Sequence, residues 1–255
     1  MNDDVRVERR DAVVWLIISR EERRNAITAS VLAGLSEGLA MAEKDRSVRA
    51  VVLTGAGDKA FCAGADLQSG KMFDLDPSQI YGQGALLFRQ ARQATVPLIA
   101  RVNGACVAGG MGLLSMCDLA VAAEHAVFGL PEVKVGVFPA QVLSLLQHLI
   151  PRRVLTRMCL TGRPLTSAQA LGIGLVNAVN ADPDVALDAL LGELLDGSPA
   201  AIRRGLYTMK KIEAMPFEES MSFTESQIAL FAMTEDAHEG QAAFREKRKA
   251  RWTGK

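Results

Sequence analysis

The amino-acid sequence predicts an α/β core followed by a helical C-terminal region. Over the N-terminal two thirds, short apolar runs alternate with patterns of helical period. Two of those runs lead directly into glycine-rich segments. Beyond about residue 140 nearly every pattern is helical. The 255 residues fit one large domain, and a hydrophobic share of 49% is enough for a substantial core.

The elements follow in order. Val13 to Ile18, VVWLII, reads as a buried strand, and Thr28 to Glu43 as an amphipathic helix with a Thr or Ser cap. Arg49 to Thr54 is a second strand, ending at Gly55; Ile80 to Ala94 is helical, and Leu98 to Val102 is a third strand. A short helix runs from Gly109 to Met116, and Leu119 to Ala123 and Val127 to Gly129 are short strands. This recurrence predicts stacked, mostly parallel units joined by crossover helices. Helical patterns then cover Gln141–Ile150, Arg152–Leu160, Ser167–Leu171, Val185–Leu195, Pro199–Glu213, Phe217–Ala232 and Asp236–Lys249, interrupted by Leu175–Val179. The expected division is a core over 1–195 and a helical region over 196–255. Phe217, Met221, Phe223, Ile228, Leu230 and Phe231 give that region more apolar side chains than a solvated tail needs. Packing onto its own core and a subunit interface both account for them.

Composition excludes several function classes. The formal net charge is zero, whereas nucleic-acid binding needs an excess of Lys and Arg to replace counterions. No stretch has the length of uninterrupted apolar sequence that a membrane span requires. The opening MNDDVRVERRD is charged and lacks an apolar signal region, which predicts a cytoplasmic protein. Cys62, Cys106, Cys117 and Cys159 form no CxxC pair, so buried reduced thiols are expected and no metal site. His125, His148 and His238 are scattered, and none adjoins a recognisable nucleophile motif.

Two loops have the composition to hold an anion. The first, Gly55 to Leu67, begins as GxGxxA, but a dinucleotide loop must run straight into a helix. Here Gly64 follows within a few residues and Asp66 adds negative charge, so the dinucleotide reading is disfavoured. The second, Val102 to Leu113, follows a strand and precedes a helix, and its small residues let a ligand approach the backbone. Tight helix packing is the alternative explanation for Ala108, Gly109 and Gly110. Two such loops after neighbouring parallel strands would lie at one edge of the sheet. A pair of backbone donors there, aimed at one oxygen, would stabilise a thioester carbonyl as it becomes an enolate.

At these residues the chain resembles the crotonase superfamily, which contains the enoyl-CoA hydratases and isomerases. Arg23-Arg24-Asn25-Ala26-Ile27 resembles the family's RxNAL segment, and Phe61 to Leu67 its FCAGADL signature. Asn103-Gly104 through Gly109-Gly110 resembles the NGxxxGGG loop with Ala108 at the first of the three glycines, and Cys117-Asp118 the CD that follows. Phe128 to Glu132, with Gly136 and Pro139, resembles the catalytic-glutamate segment. Thr161-Gly162-Arg163 to Gly174-Leu175-Val176, and Ala243 to Arg248, complete a series spanning nearly the whole chain.

The resemblance implies a right-handed spiral of β-β-α turns with a helical C-terminal region that assembles a homotrimer or a hexamer. It implies an acyl-CoA thioester substrate and no separate cofactor, coenzyme A being part of the substrate. The N–H groups of Ala65 and Gly109 would form the oxyanion hole. Arg23, Ala26, Ala63, Asp66 and Leu67 would contact coenzyme A, joined by Phe244 and Lys247, often from a neighbouring subunit. Glu132 would be the acid/base.

Hydratases of this family usually carry two glutamates. The first would fall three residues after Gly109, where this chain has Gly112. One carboxylate suffices to move a double bond, and a glutamate in an apolar pocket has the raised pKa that suits giving and taking a proton. Phe128, Leu130, Val133, Val135 and Val137 predict such a pocket; capping a helix or pairing with Lys134 would be the structural alternatives. Dienoyl-CoA isomerases add an aspartate eight residues after the glutamate, where Ala140 stands. The expected reaction is therefore a double-bond shift. Hydration with one glutamate, helped by Gln141 or a loop acid, is the alternative; a thioester-binding protein with little turnover is a third, against which the retained Glu132 argues. Met72, Phe73, Leu75, Leu86, Leu87 and Phe138 are candidates for an acyl pocket.

Overall fold

A computed structural model of the chain describes residues 3–66 and 80–255. Among the described residues, six strands form the main sheet: Val5–Arg10 (β1), Val13–Ile18 (β2), Ala50–Gly55 (β3), Leu98–Val102 (β5), Leu119–Ala123 (β7) and Ala178–Asn180 (β10). They lie in the order β1-β2-β3-β5-β7-β10; β1 runs antiparallel to β2 and the other pairs are parallel. Every residue of β2 and β3 is buried, as expected of inner strands covered on both faces. Alternation divides them. Val14, Leu16, Ile18, Val51 and Leu53 face helix α1 (Ala29–Lys44), with its Val31, Leu35 and Leu39. Val13, Trp15, Ile17, Val52 and Ile99 face α7 (Pro183–Asp196), with its Leu187. Both helices start at side-chain caps: Thr28 accepts from Val31 N, and Asp182 accepts from Asp184 N ahead of Pro183.

A second sheet was legible only at Val127–Gly129. Ala60–Cys62 (β4), Ala105–Val107 (β6), Val127–Gly129 (β8) and Leu165–Thr166 (β9) pair in the order β4-β6-β8-β9, the first three parallel. Two of these strands lie inside the segments read as loops. After β3, β5 and β7 the chain therefore steps into the small sheet before its next helical turn. This is the β-β-α recurrence that the resemblance implies. Helix α2 (Gln83–Gln93) and helix α3 (Gly109–Ser115) complete two of the turns.

Three further expectations shift. Strand β1 escaped prediction because it is a charged edge strand in which only Val5 is buried. Of the helix expected over Gln141–Ile150, the α-helical part is Leu143–Leu146 (α4). In the Leu175–Val179 interruption a strand begins at Ala178, since Leu175 and Val176 pack into the core as the chain leaves α6 (Ser167–Gly172).

Helix α5 (Arg152–Thr161) lies between β8 and β9 in the chain. The C-terminal helices are α8 (Pro199–Ile212), α9 (Phe217–Ala232) and α10 (Glu235–Glu246). Helix α8 is tied to the core: buried Arg203 donates to Val48 O and Thr95 Oγ1, both at 3.1 Å. Lys210 Nζ lies 2.8 Å from Asp118, whose other oxygen accepts from Leu98 N. Asp118 of the Cys-Asp motif is thus a buried ion-pair partner. In contrast, Phe217, Ile228 and Met233, on and just after α9, and Phe244 of α10 stand exposed. None of the described helices is long and apolar enough to cross a membrane.

Candidate active site

The first glycine-rich segment is a turn between the two sheets, and two buried amides clamp it. Asn25 Nδ2 donates to Ala56 O (2.9 Å) and Ala60 O (2.7 Å). Asn103 Nδ2 donates to Gly57 O (2.7 Å) and Ala60 O (3.1 Å), while its Oδ1 accepts from Thr54 Oγ1 and Gly55 N, each at 3.2 Å. His125 Nε2 lies 2.9 Å from Asp58 O and 3.1 Å from Asn103 O, so this nitrogen carries the proton. The turn leads into β4, not a helix, which removes the structural context of a dinucleotide loop.

Beyond β4 the chain meets the Arg23–Ile27 segment. Ala63 N donates to Arg24 O; Ile27 N donates to Gly64 O (2.7 Å) and Asp66 N to Ile27 O (3.0 Å), a parallel bridge centred on Ala65. Successive N–H groups of an extended chain point to opposite sides. The Ala65 N–H therefore faces away from Ile27, and among the described residues nothing accepts from it. The same holds for Gly109 N, at the first position of α3. The two groups are neighbours. A Cβ on Gly109 would lie 3.7 Å from Ala65 N, and a Cβ on Gly64 would lie 3.2 Å from Gly109 N. Gly64 has φ +87°, a conformation that suits glycine.

Strands β6 and β8 carry this geometry to the acid. Val107 pairs with Gly129, and Ala108 N donates to Gly129 O at 2.9 Å. One strand then runs on to Gly109, the other through buried Leu130 to Glu132, in a 3₁₀ turn of Glu132–Val135. Glu132 Oε2 is buried and, among the described residues, is the buried side-chain oxygen or nitrogen without a hydrogen-bond partner. Burial raises the Glu132 pKa, opposed by its own backbone N–H. The Cys159 thiol on α5 is raised first by burial and then by the charge of Glu132, which puts α5 beside the carboxyl. Of the structural alternatives, the 3₁₀ turn shows no side-chain cap at its N-cap Pro131, and Lys134 lies over Gly162, where a Cβ would come 2.8 Å from its Cε. The expected apolar neighbours are only partly right, since Val133 and Val135 are exposed.

The position of the missing second acid is filled. A Cβ on buried Gly112 would lie 2.6 Å from Phe88 Cζ and 2.7 Å from Val142 Cγ1. Phe88, on α2, and Val142 were not legible as site residues, because neither belongs to a motif.

The residues expected to contact coenzyme A divide. Arg23, Ala26, Ala63 and Asp66 lie on the two chain segments that the Ala65 bridge joins. Arg23 is exposed, whereas Asp66 is committed to Arg20 at 3.0 Å. Leu67 lies outside the described residues, as do Met72, Phe73 and Leu75. Phe244 and Lys247 are on and at the end of α10, which packs on α8 and α9; Phe244 is 86% exposed. Of the other acyl-pocket candidates, Leu87 is buried in the core, while Leu86 and Phe138 are exposed.

A spiral of β-β-α turns with two neighbouring small-residue segments and a buried carboxyl oxygen left without a partner among the described residues defines a class of CoA-thioester enzymes by its resemblance. Comparison with known proteins makes this specific. Residues 8–255 match the family model described as enoyl-CoA hydratase/isomerase. The chain is 35% identical over 260 residues to enoyl-CoA hydratase EchA19 of Mycobacterium tuberculosis, covering 96% of this chain and 94% of that one. It is 31% identical over 253 residues to 2,3-dehydroadipyl-CoA hydratase of Escherichia coli, covering 98% of each. The crystal structure of an enoyl-CoA hydratase of Mycobacterium smegmatis superposes with a TM-score of 0.91 at 31% identity, covering 98% of both chains. The chain belongs to the enoyl-CoA hydratase/isomerase family and has the crotonase fold.

Proposed function

We propose that the protein shifts the double bond of an enoyl-CoA, with Glu132 as its single acid/base and the N–H groups of Ala65 and Gly109 as the oxyanion hole. Glu132 takes a proton from C2 of a 3-enoyl thioester. The electron pair moves into the carbonyl, and the oxygen of the resulting dienolate is met by the two N–H groups. The protonated carboxyl then delivers its proton to C4, leaving the conjugated 2-enoyl thioester and regenerating the carboxylate. No cofactor beyond the coenzyme A of the substrate takes part.

The observation that carries this reading is the filling of the Gly112 position by Phe88 and Val142. Among the described residues it leaves no carboxylate at that position to orient a water. The test supplies 3-enoyl-CoA and 2-enoyl-CoA esters in parallel, following conjugated-thioester absorbance and 3-hydroxyacyl-CoA. Faster hydroxy product than double-bond shift overturns the proposal. Hydration is the second reading, favoured by relatives named as hydratases; it asks Glu132 alone to activate water. The reading includes assembly as a trimer or a dimer of trimers, supported by the exposed apolar side chains of α9 and α10.

A further inference from the structure

Ala108 adopts φ +50°, ψ −121°. A side chain rarely occupies this region, because Cβ crowds the flanking peptide groups. Three contacts hold it there. Its N–H donates to Gly129 O at 2.9 Å, and its own carbonyl accepts from Met111 N at 2.9 Å. Its methyl sits where Gly64 leaves room: a Cβ at residue 64 would come 2.7 Å from it. Ala108 therefore touches the residue before Ala65, the strand that leads to Glu132, and the peptide that it shares with Gly109.

That last peptide matters most. The N–H of Gly109 belongs to the plane between Ala108 and Gly109, so ψ of Ala108 sets where it points. Glycine at 108 would accept φ +50° without strain, but in a broad well that lets the plane rock. Alanine reaches this conformation only in a narrow well, and there its methyl is seated on Gly64.

We propose that Ala108 is a positioning residue: its methyl, seated on Gly64, locks the Ala108–Gly109 peptide so that the Gly109 N–H stays aimed at the substrate oxygen. This rests on reading Ala65 and Gly109 as an oxyanion hole, not on which double-bond reaction follows. A residue kept for packing alone would show no such link, and relieving its strain would only stabilise the chain.

The test uses Ala108→Gly and Ala108→Ser in the full-length protein. One readout needs no turnover: the carbonyl stretching frequency of bound butyryl-CoA labelled at the thioester carbon, which falls as donors polarise the C=O. The wild type should lower this frequency and Ala108→Gly should lower it less. With the preferred enoyl-CoA, kcat of Ala108→Gly should fall about tenfold, short of the loss of a whole donor, with KM nearly unchanged and the melting temperature not lowered. Ala108→Ser keeps the Cβ and should stay within a few-fold of the wild type in both readouts. An equal frequency and kcat in Ala108→Gly, or a loss of kcat that tracks a lowered melting temperature, overturns the proposal. Absence of any carbonyl shift in the wild type overturns the hole and the role of Ala108 with it. A shift in the wild type without double-bond migration overturns the isomerase reading alone.

Discussion

Residues 112 and 132 offer a direct comparison. One lies three residues into the chain after Ala65's partner Gly109 begins α3, the other three residues after the rung that β6 and β8 share. At 132 a carboxyl oxygen is buried without a hydrogen-bond partner among the described residues, at a cost that folding alone gives no reason to bear. At 112 the side chain is gone and two apolar groups occupy its space. The first position keeps one carboxyl oxygen from water and short of partners; the second has no room for a Cβ unless Phe88 or Val142 shifts. On the proposed reading, that difference concentrates the proton chemistry on one group.

The sharpest way to break this asymmetry is Glu132→Gln. The amide is nearly isosteric but cannot exchange a proton, so kcat should fall by roughly 10²- to 10⁴-fold. Binding of a saturated acyl-CoA, measured by calorimetry, should be retained. Activity near the wild-type level would move the acid/base elsewhere and dissolve the comparison.

Gly112→Ala probes the other side with a smaller effect. The new methyl would meet Phe88 and Val142 inside ordinary contact distance, and both sit in or against the main core. Overpacking of this kind costs about 1–3 kcal/mol. Urea unfolding should show that loss. A neutral result would mean the Phe88 ring swings aside easily, and the position could then admit a larger group.

How much of this was legible beforehand follows physical lines. The inner strands β2 and β3 were legible because full burial leaves a continuous apolar run. The small sheet was legible only at β8, since β4 and β6 are three-residue strands embedded among glycines, where turn composition hides them. Motif order singled out Ala65, Gly109 and Glu132 as candidates, and the structure adds what motifs lack. Asn25 and Asn103 sit inside recognisable segments, yet their role as clamps on Ala60 O depends on a turn joining residues far apart in sequence. Phe88 and Val142 carried no signal at all, because a plug is defined by the space it fills. Ala108 was visible as a departure from the three-glycine loop, while its positive φ was not.

The smallest effect concerns stability against pH. The Glu132 pKa is raised in the folded protein, with burial as the main cause. Between the ordinary glutamate pKa and that raised value, the folded state holds a proton that the unfolded state has released. Stability from this group is therefore fully present at low pH, falls as pH rises through the window, and levels off above the folded value. Glu132→Gln has no proton to lose and no buried charge to form. Its stability relative to the wild type should rise across the same window and stay higher at neutral pH, as read by urea midpoints in a pH series. The sign is what matters: a residue placed for stability would lose on such a substitution, whereas one retained for proton transfer gains. A Gln variant less stable than the wild type at neutral pH would mean the carboxylate has a favourable partner in solution, and Glu132 and Gly112 would then differ less than the unpartnered oxygen implies.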